Sequence, residues 1–488
     1  MSALHQSTET LSRQERIVLN LYAITGLAVL VLMMLGGIAM RMSQGTWIAL
    51  PPDVFYQIMT AHGAAMVGIA GLTSSAVMWY FLRKYVSLSP GIFLANYVLF
   101  MIGAVLILGS IFILQFGGGW TFLYPLPVKS NGMWSVHAAA GYMLGLISIG
   151  VGFLLFYLDA TLAILRVYGN LERALGLQWL FGGDIDKSHP PTVVASTMVI
   201  IANGLGTLCG AVVLVLCLVN AYVPAFELNA LLAKNMIYFF GHVFINASIY
   251  MGVIAVYELL PRYSGRPWGV SRPFLWAWAA STVMVIIVYP HHLLMDFVMP
   301  HWMLAMGQII SFTSGLPVLA VTAYGALTNV HRSGIRWSMP AKLLLLSMFG
   351  WAAGIIPAMI DGVISVNRVM HNTLWVPGHF HFYLLLGLWA MLFGFMYHVI
   401  RARADEPDSA VDRLGFLAYL AGGLVFSGML LMAGQASVPR RWAVHAPEWV
   451  PYASAASLAA ILVVLATILF AVRIVSGLLR APNVGTAH

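Results

Sequence analysis

Residues 373–400 read TLWVPGHFHFYLLLGLWAMLFGFMYHVI. The stretch holds no Asp, Glu, Lys or Arg, and a helix crosses a bilayer core with about 20 apolar residues. In lipid a backbone amide finds no solvent partner, so a single crossing segment has to be a helix, which satisfies its own. Two of its three histidines, His379 and His381, stand near its start, where an ionisable or metal-binding side chain is expensive and marks a functional position by default. The decisive unit is therefore a membrane helix that presents ligating side chains.

The same apolar signature recurs near 19–41, 58–82, 92–115, 134–158, 193–222, 235–260, 272–295, 303–328, 341–366, 414–435 and 451–479. With 373–400 this makes about twelve spans, each near the length a bilayer requires. Composition agrees: of 488 residues 61% are hydrophobic and 8% charged, too little charge to cover the surface of a soluble domain. The expected fold is an all-α membrane protein, one bundle of transmembrane helices over 1–488 with no second soluble domain. The polar N-terminus with Arg13 and Arg16 precedes a long apolar run and lacks a signal-cleavage pattern. Cys209 and Cys217 share one span and read as packing residues. No CxxCH is present, so no covalent haem c is expected here.

The net charge of +8 could suggest nucleic acid, but the placement of the charges argues for topology. With both termini cytoplasmic, eighteen of the 24 Lys and Arg residues fall inside, and only Arg41, Lys129, Lys234, Arg368, Arg440 and Arg441 fall outside. That is the positive-inside pattern of a multi-pass protein in a bacterial or archaeal cytoplasmic membrane, not a nucleic-acid footprint. The longest inner loop is expected at 160–192 by its Pro and Gly content. The stretch 401–413, with Arg401, Arg403, Asp405, Glu406, Asp408, Asp412 and Arg413, reads as a solvated charged loop. Neither internal repeats nor broken helices stand out, which weighs against a transporter.

The strongest chemical signal is His371-Asn-Thr-Leu-Trp-Val-Pro-Gly-His379-Phe-His381. Residues two apart on a helix differ by about 200°, so His379 and His381 point to opposite sides and one helix serves two separate groups. The plain alternative is two hydrogen-bonded core histidines. His291-His292 follow Tyr289-Pro290 at the end of the seventh span, where a proline opens the backbone so that both rings reach one metal. His242 lies at the same depth in the sixth span. Three neutral imidazoles leave a coordination position open, the pattern of a catalytic metal. His62 begins the second span at that depth and is suited to pair with His381 on a six-coordinate haem.

With these motifs the chain resembles subunit I of the haem–copper oxidoreductase superfamily, closest to its B-type branch, over nearly its whole length. The likeness includes Trp120-Thr-Phe-Leu-Tyr124-Pro, Gly241-His242, His291-His292, the His371 to His381 stretch and Pro439-Arg440-Arg441. The resemblance implies that His62 and His381 ligate a low-spin haem, of b type, and that His379 is the proximal ligand of a high-spin haem, b or a. It implies that His242, His291 and His292 hold one distal copper ion, with iron the less favoured metal. Arg440 and Arg441 would bind haem propionates, with His371 beside them, and Arg41 would contact a haem edge.

One position departs from the family. Typical oxygen reductases of the A and B branches carry a tyrosine four residues after the first distal histidine, cross-linked to it; here that residue is Asn246. Cleaving O–O in one step takes four electrons, one supplied by that tyrosine, whereas reducing two NO to N2O takes two. Loss of the phenol is tolerable for NO and damaging for O2, so the resemblance implies a nitric oxide reductase, with cytochrome c oxidase-type reduction of O2 to water, with or without proton translocation, as the alternative. Nitric oxide reductases that use cytochrome c carry a glutamate there that helps bind iron; Asn246 is not that glutamate, which favours copper. Tyr289 is poorly placed as a substitute, directly before Pro290. A non-catalytic haem protein or transporter would not need three histidines around an open site. Electrons are expected from a subunit II with dinuclear copper or haem c, fed by cytochrome c or a similar donor. For protons, Tyr250 lies roughly 12 Å and Tyr257 and Glu258 roughly 22–24 Å below His242 at about 1.5 Å per residue, a candidate cytoplasmic route. The ordinary alternative pairs Glu258 with Arg262 and leaves the tyrosines to packing.

Overall fold

The structure is a computed structural model describing residues 11–401 and 407–480. Among the described residues twelve helices are long and apolar enough to cross a membrane: α1 (Arg13–Gln44), α2 (Pro52–Leu82), α3 (Pro90–Phe112), α4 (Val136–Tyr168), α5 (Pro191–Tyr222), α6 (Ala230–Ser264), α7 (Arg272–Leu293), α8 (His301–Val330), α9 (Met339–Asp361), α10 (Trp375–Ile400), α11 (Ala410–Gln435) and α12 (Pro447–Arg480). The expected all-helical membrane bundle is therefore the fold. Neighbours in sequence are mostly neighbours in space: α3 packs on α4, α5 on α6, α11 on α12, and α1 closes against α2 and α12.

Burial sorts the helices by role. The apolar windows of α2, α6 and α10 are 83%, 89% and 78% buried, against 17% for α8. The three central helices are those that carry His62, His242 and the His379–His381 pair, so the bundle places these histidines on its most enclosed helices. Close backbone approach makes this possible. A Cβ on Gly378 would lie 2.8 Å from Leu431 N, so a glycine lets α10 touch α11, as small residues do wherever membrane helices pack tightly.

Several expectations need correction. The inner loop is shorter than 160–192, because α4 runs on to Tyr168 and a five-residue helix, Leu171–Leu175, follows. Interrupted helices do exist: α8 consists of His301–Ser311 and Leu316–Val330, and α10 passes through a π-helical segment, Phe382–Trp389, directly after His381. The span expected to 366 ends at Asp361, and a separate short helix, Ile364–Met370, follows. The π-segment is invisible to hydropathy, since Phe382–Trp389 is almost wholly apolar, whereas the α8 break falls at Thr313-Ser314-Gly315, a turn signal that the span reading passed over; π-segments often mark functional sites. The 401–413 stretch is only partly solvated. The Asp408 carboxylate is enclosed, with its side chain 4% exposed; it accepts from Met339 N and Lys342 Nζ at 2.8 Å each and pairs with Arg401. Asp412 is buried in a capping box with Ser409 and accepts from Tyr397 OH. Arg403, Asp405 and Glu406 lie outside the described residues.

Candidate active site

The α6 helix sets His242 and Asn246 one turn apart on one face, and the regular helix of α7 stops at Ile287. A 3-10 turn over Tyr289–Leu293, opened at Pro290, then carries His291 and His292 toward His242. One ligand atom from each of the three histidines lies within 4.8 Å of the others. Their rings meet edge to face, with centroids 4.7 Å apart for His242 and His291 and 4.2 Å for His291 and His292. The fit is tight because α8 lies against the turn: a Cβ on Gly307 would come within 2.9 Å of His291 N.

Hydrogen bonds decide which nitrogens remain free. Ser311 Oγ gives its single hydrogen to Gly307 O at 2.7 Å, so it accepts from His291 Nδ1–H at 2.8 Å. That leaves His291 Nε2 unprotonated and available, the arrangement in which an outer partner fixes a ligand's tautomer. His242 Nδ1 lies 3.1 Å from His292 Nε2, and the His292 ring stacks on Tyr238. Asn246 Nδ2 donates to His242 O at 2.9 Å and lies 3.1 Å from His242 Nε2. The Asn246 side chain thus faces the triad, as one-turn spacing predicts.

The same cavity is lined by His62, His371, His379, His381, Arg41, Asp361, Arg440 and Arg441 among mainly apolar side chains. His62 Nδ1–H donates to Met33 O and His381 Nδ1–H to Pro377 O, each at 2.7 Å. A carbonyl can only accept, so both rings keep Nε2 free. His381 lies beside His62 and Arg41, whereas His379 lies toward His291 and Arg440. The two α10 histidines therefore have different neighbours on the two sides of their helix. His379 Nδ1 and Arg41 Nη1 are buried without a partner, and these free valences around an apolar hollow fit two haem groups.

Arg440 and Arg441 sit at the rim. Arg440 N donates to Asn372 O at 2.8 Å, which ties the loop to the start of α10, and Arg441 Nη2 donates to Thr121 Oγ1 at 2.8 Å. Burial, then the neighbouring Arg441, lowers Arg440 to about 10; burial, then Arg440 and Arg441, lowers His371 to about 4. Two crowded guanidinium groups call for anions, which suits propionates.

Along α6 the candidate proton residues part company. Tyr250 OH is buried without a partner, and Tyr257 OH lies 2.7 Å from Thr322 Oγ1. Glu258 instead accepts from Lys84 Nζ at 3.2 Å, Tyr85 OH at 2.8 Å and Thr192 Oγ1 at 2.5 Å. Tyr289 OH donates to Asn235 Oδ1 at 3.1 Å, so its phenol is engaged away from the triad. Sequence reading missed Ser311, Tyr238, Asp361 and Tyr383, all of which line the cavity or orient its ligands. Ser311 carries no sequence signal, because its role depends on how α8 packs on the α7 turn. Cys217 is buried and Cys209 half-buried, and both are free thiols, as packing residues would be.

The chain is similar to known proteins along most of its length. Residues 17–474 match the family model of Cytochrome C and Quinol oxidase polypeptide I. The heme-copper oxidase subunit I+III of Aeropyrum pernix is 23% identical over 470 residues, covering 88% of this chain and 53% of that protein. This chain thus spans about half the length of that relative. Cytochrome c oxidase subunit 1 of Thermus thermophilus is 24% identical over 475 residues, covering 89% of this chain and 78% of that one. A heme-copper terminal oxidase dimer solved by cryo-EM shares the fold with a TM-score of 0.80 at 19% identity, over 98% of this chain and 86% of that chain. A buried multi-histidine membrane bundle defines the class, and the chain belongs to the Cytochrome C and Quinol oxidase polypeptide I family, the haem–copper oxidase subunit I family. That family binds haems and copper.

Proposed function

We propose that this chain is the catalytic subunit of a respiratory haem–copper reductase that reduces nitric oxide to nitrous oxide. The observation that carries the reading is Asn246, an amide 3.1 Å from His242 Nε2, at a position from which no phenol reaches the triad. His62 and His381 hold a low-spin haem of b type, His379 a high-spin haem of b or a type, and His242, His291 and His292 one copper ion. When bound, the high-spin haem iron and the copper supply one electron each to a pair of NO molecules. Two protons complete the reaction to N2O and water, so no electron is needed from a side chain. Arg440, Arg441 and Arg41 neutralise the haem carboxylates and rim, with His371 beside them, and Asn246 braces the His242 ring.

Protons come from the cytoplasmic side along α6 by way of Tyr257 and Tyr250. Glu258, with three donors on its carboxylate, latches α2, α5 and α6 together there. Both termini face the cytoplasm, and electrons arrive on the opposite face from a subunit II with dinuclear copper or haem c, fed by cytochrome c or a similar donor. The second reading, reduction of O2 to water, is favoured by the printed names of the relatives, which are oxidases. Isotope-labelled NO supplied to the purified complex tests the proposal. Labelled N2O formed in proportion to electrons consumed supports it, and absence of N2O with active haems refutes it.

A further inference from the structure

At the end of the bundle that carries Glu258, a cavity of about 350 Å3 opens between the α6–α7 loop, the first turn of α7 and the last turns of α8. Its walls include Arg266, Trp268, Ser271, Phe274, Tyr324 and Thr328, and ligand pockets begin at about this size. The walls are tied to one another. A Cβ on Gly325 would lie 2.5 Å from the Trp268 ring, so a glycine lets that indole rest on α8. Asn329 Nδ2 donates to Arg266 O at 2.9 Å and holds the loop to the same helix. Arg266 in turn caps α8: Nη1 donates to Thr328 O at 3.1 Å and to His331 O at 2.7 Å, and Nη2 donates to Arg332 O at 2.8 Å.

What these groups leave unfinished defines the ligand. A guanidinium has five N–H groups; Arg266 spends three on carbonyls, which leaves two. Among the described residues Arg266 has no carboxylate in an ion pair with it, and no Asp or Glu lines the cavity. The carbonyls of a helix end offset only about half a charge. Ser271 Oγ accepts from Phe274 N at 3.3 Å as the cap of α7 and keeps its own hydrogen to give. The open valences are donors around a positive charge, and they call for an oxygen-rich anion, of which phosphate suits an arginine best. The membrane sets the source of that anion. The α8 helix is the least enclosed span, with 17% of its apolar window buried. Leu316, Ala320, Tyr324 and Leu327 are exposed along it, spaced so that they form one strip on the helix. Tyr324 belongs both to this strip and to the cavity wall. We propose that the cavity binds the phosphate headgroup of one anionic phospholipid, held by Arg266 and Ser271, with its acyl chains on the strip from Leu316 to Leu327. Basic pockets between membrane helices take lipid headgroups in this way. The site stands apart from the histidine cavity and does not depend on which gas is reduced there.

The test places the purified complex in nanodiscs that carry photoreactive phosphatidylglycerol or, at matched amount, photoreactive phosphatidylcholine. Cross-linked peptides are mapped by mass spectrometry. Phosphatidylglycerol should label residues 266–274 and 316–328, whereas phosphatidylcholine should label them no more than it labels α3. Arg266→Gln removes the charge, and Thr328→Phe fills the mouth from an exposed position while the backbone bonds of Arg266 stay in place. Each should cut labelling by phosphatidylglycerol about tenfold, the equivalent of one charge-assisted hydrogen bond, with wild-type haem spectra. Should Arg266→Gln lose its haems, Thr328→Phe decides alone. Equal labelling by the two lipids would make this an ordinary lipid-facing surface and overturn the proposal. So would wild-type labelling in Thr328→Phe. Loss of labelling on addition of inorganic phosphate would overturn the lipid as the source of the anion.

Discussion

The two ends of α6 bury polar groups equally and use them in opposite ways. At the Glu258 end the valences are closed. Glu258 takes three donors, and Asp408 takes Arg401, Lys342 and the Met339 amide. At the His242 end they are held open: His62, His381 and His291 each have one ring nitrogen locked by a carbonyl or hydroxyl, with the other left facing a hollow. A closed network ties helices together, whereas an oriented but unfinished one waits for a ligand. Burial alone does not tell these apart; the count of satisfied valences does.

This contrast can be broken by substitution, and the largest effects belong at the open end. His62→Ala should abolish the six-coordinate haem spectrum while the chain still inserts; an unchanged low-spin spectrum would remove His62 from the site. His291→Ala should lose the non-haem copper, which metal analysis of the unaltered protein should find at about one ion per subunit. Full copper content and activity in that variant would show that the triad is wrong. Ser311→Ala touches no metal, yet it frees His291 Nδ1, and losing such an outer partner typically weakens metal binding about 10- to 100-fold. Titration with a copper chelator reads this directly, and unchanged affinity would mean that the serine only packs.

At the closed end the effect should move from chemistry to stability. Glu258→Gln removes the charge facing Lys84, whose pair is only 10% exposed on each side, and breaking a buried pair costs on the order of 3 kcal/mol. A lower melting temperature with normal haem spectra and near-normal turnover is expected. Normal stability with slow turnover would instead make Glu258 a proton carrier and erase the contrast between the two ends.

How much of this the sequence carried depends on how local each feature is. The spans were legible, and the six candidate histidines could be picked out, because hydropathy and histidine spacing are properties of one helix at a time. The opposition of His379 and His381 followed from helical geometry alone, and so did the view of Asn246 into the triad. The π-segment in α10 was not legible, because its residues continue the apolar run, and the break in α8 was passed over although Thr313-Ser314-Gly315 marks it. Ser311 was hidden for another reason: its contact with His291 is made between two different spans. The enclosure of Asp408 and Asp412 was misread because a charge-rich loop looks solvated until its partners, Lys342 and Tyr397, are seen.

The central claim is that Asn246 suits this site to nitric oxide, and one measurement tests it most directly. The purified complex, supplied with a single electron donor, is given NO and O2 in separate assays at matched concentration. The account expects faster turnover with NO, yielding N2O. Faster turnover with O2, yielding water, would contradict it and make the chain an oxygen reductase that works without a phenol at position 246.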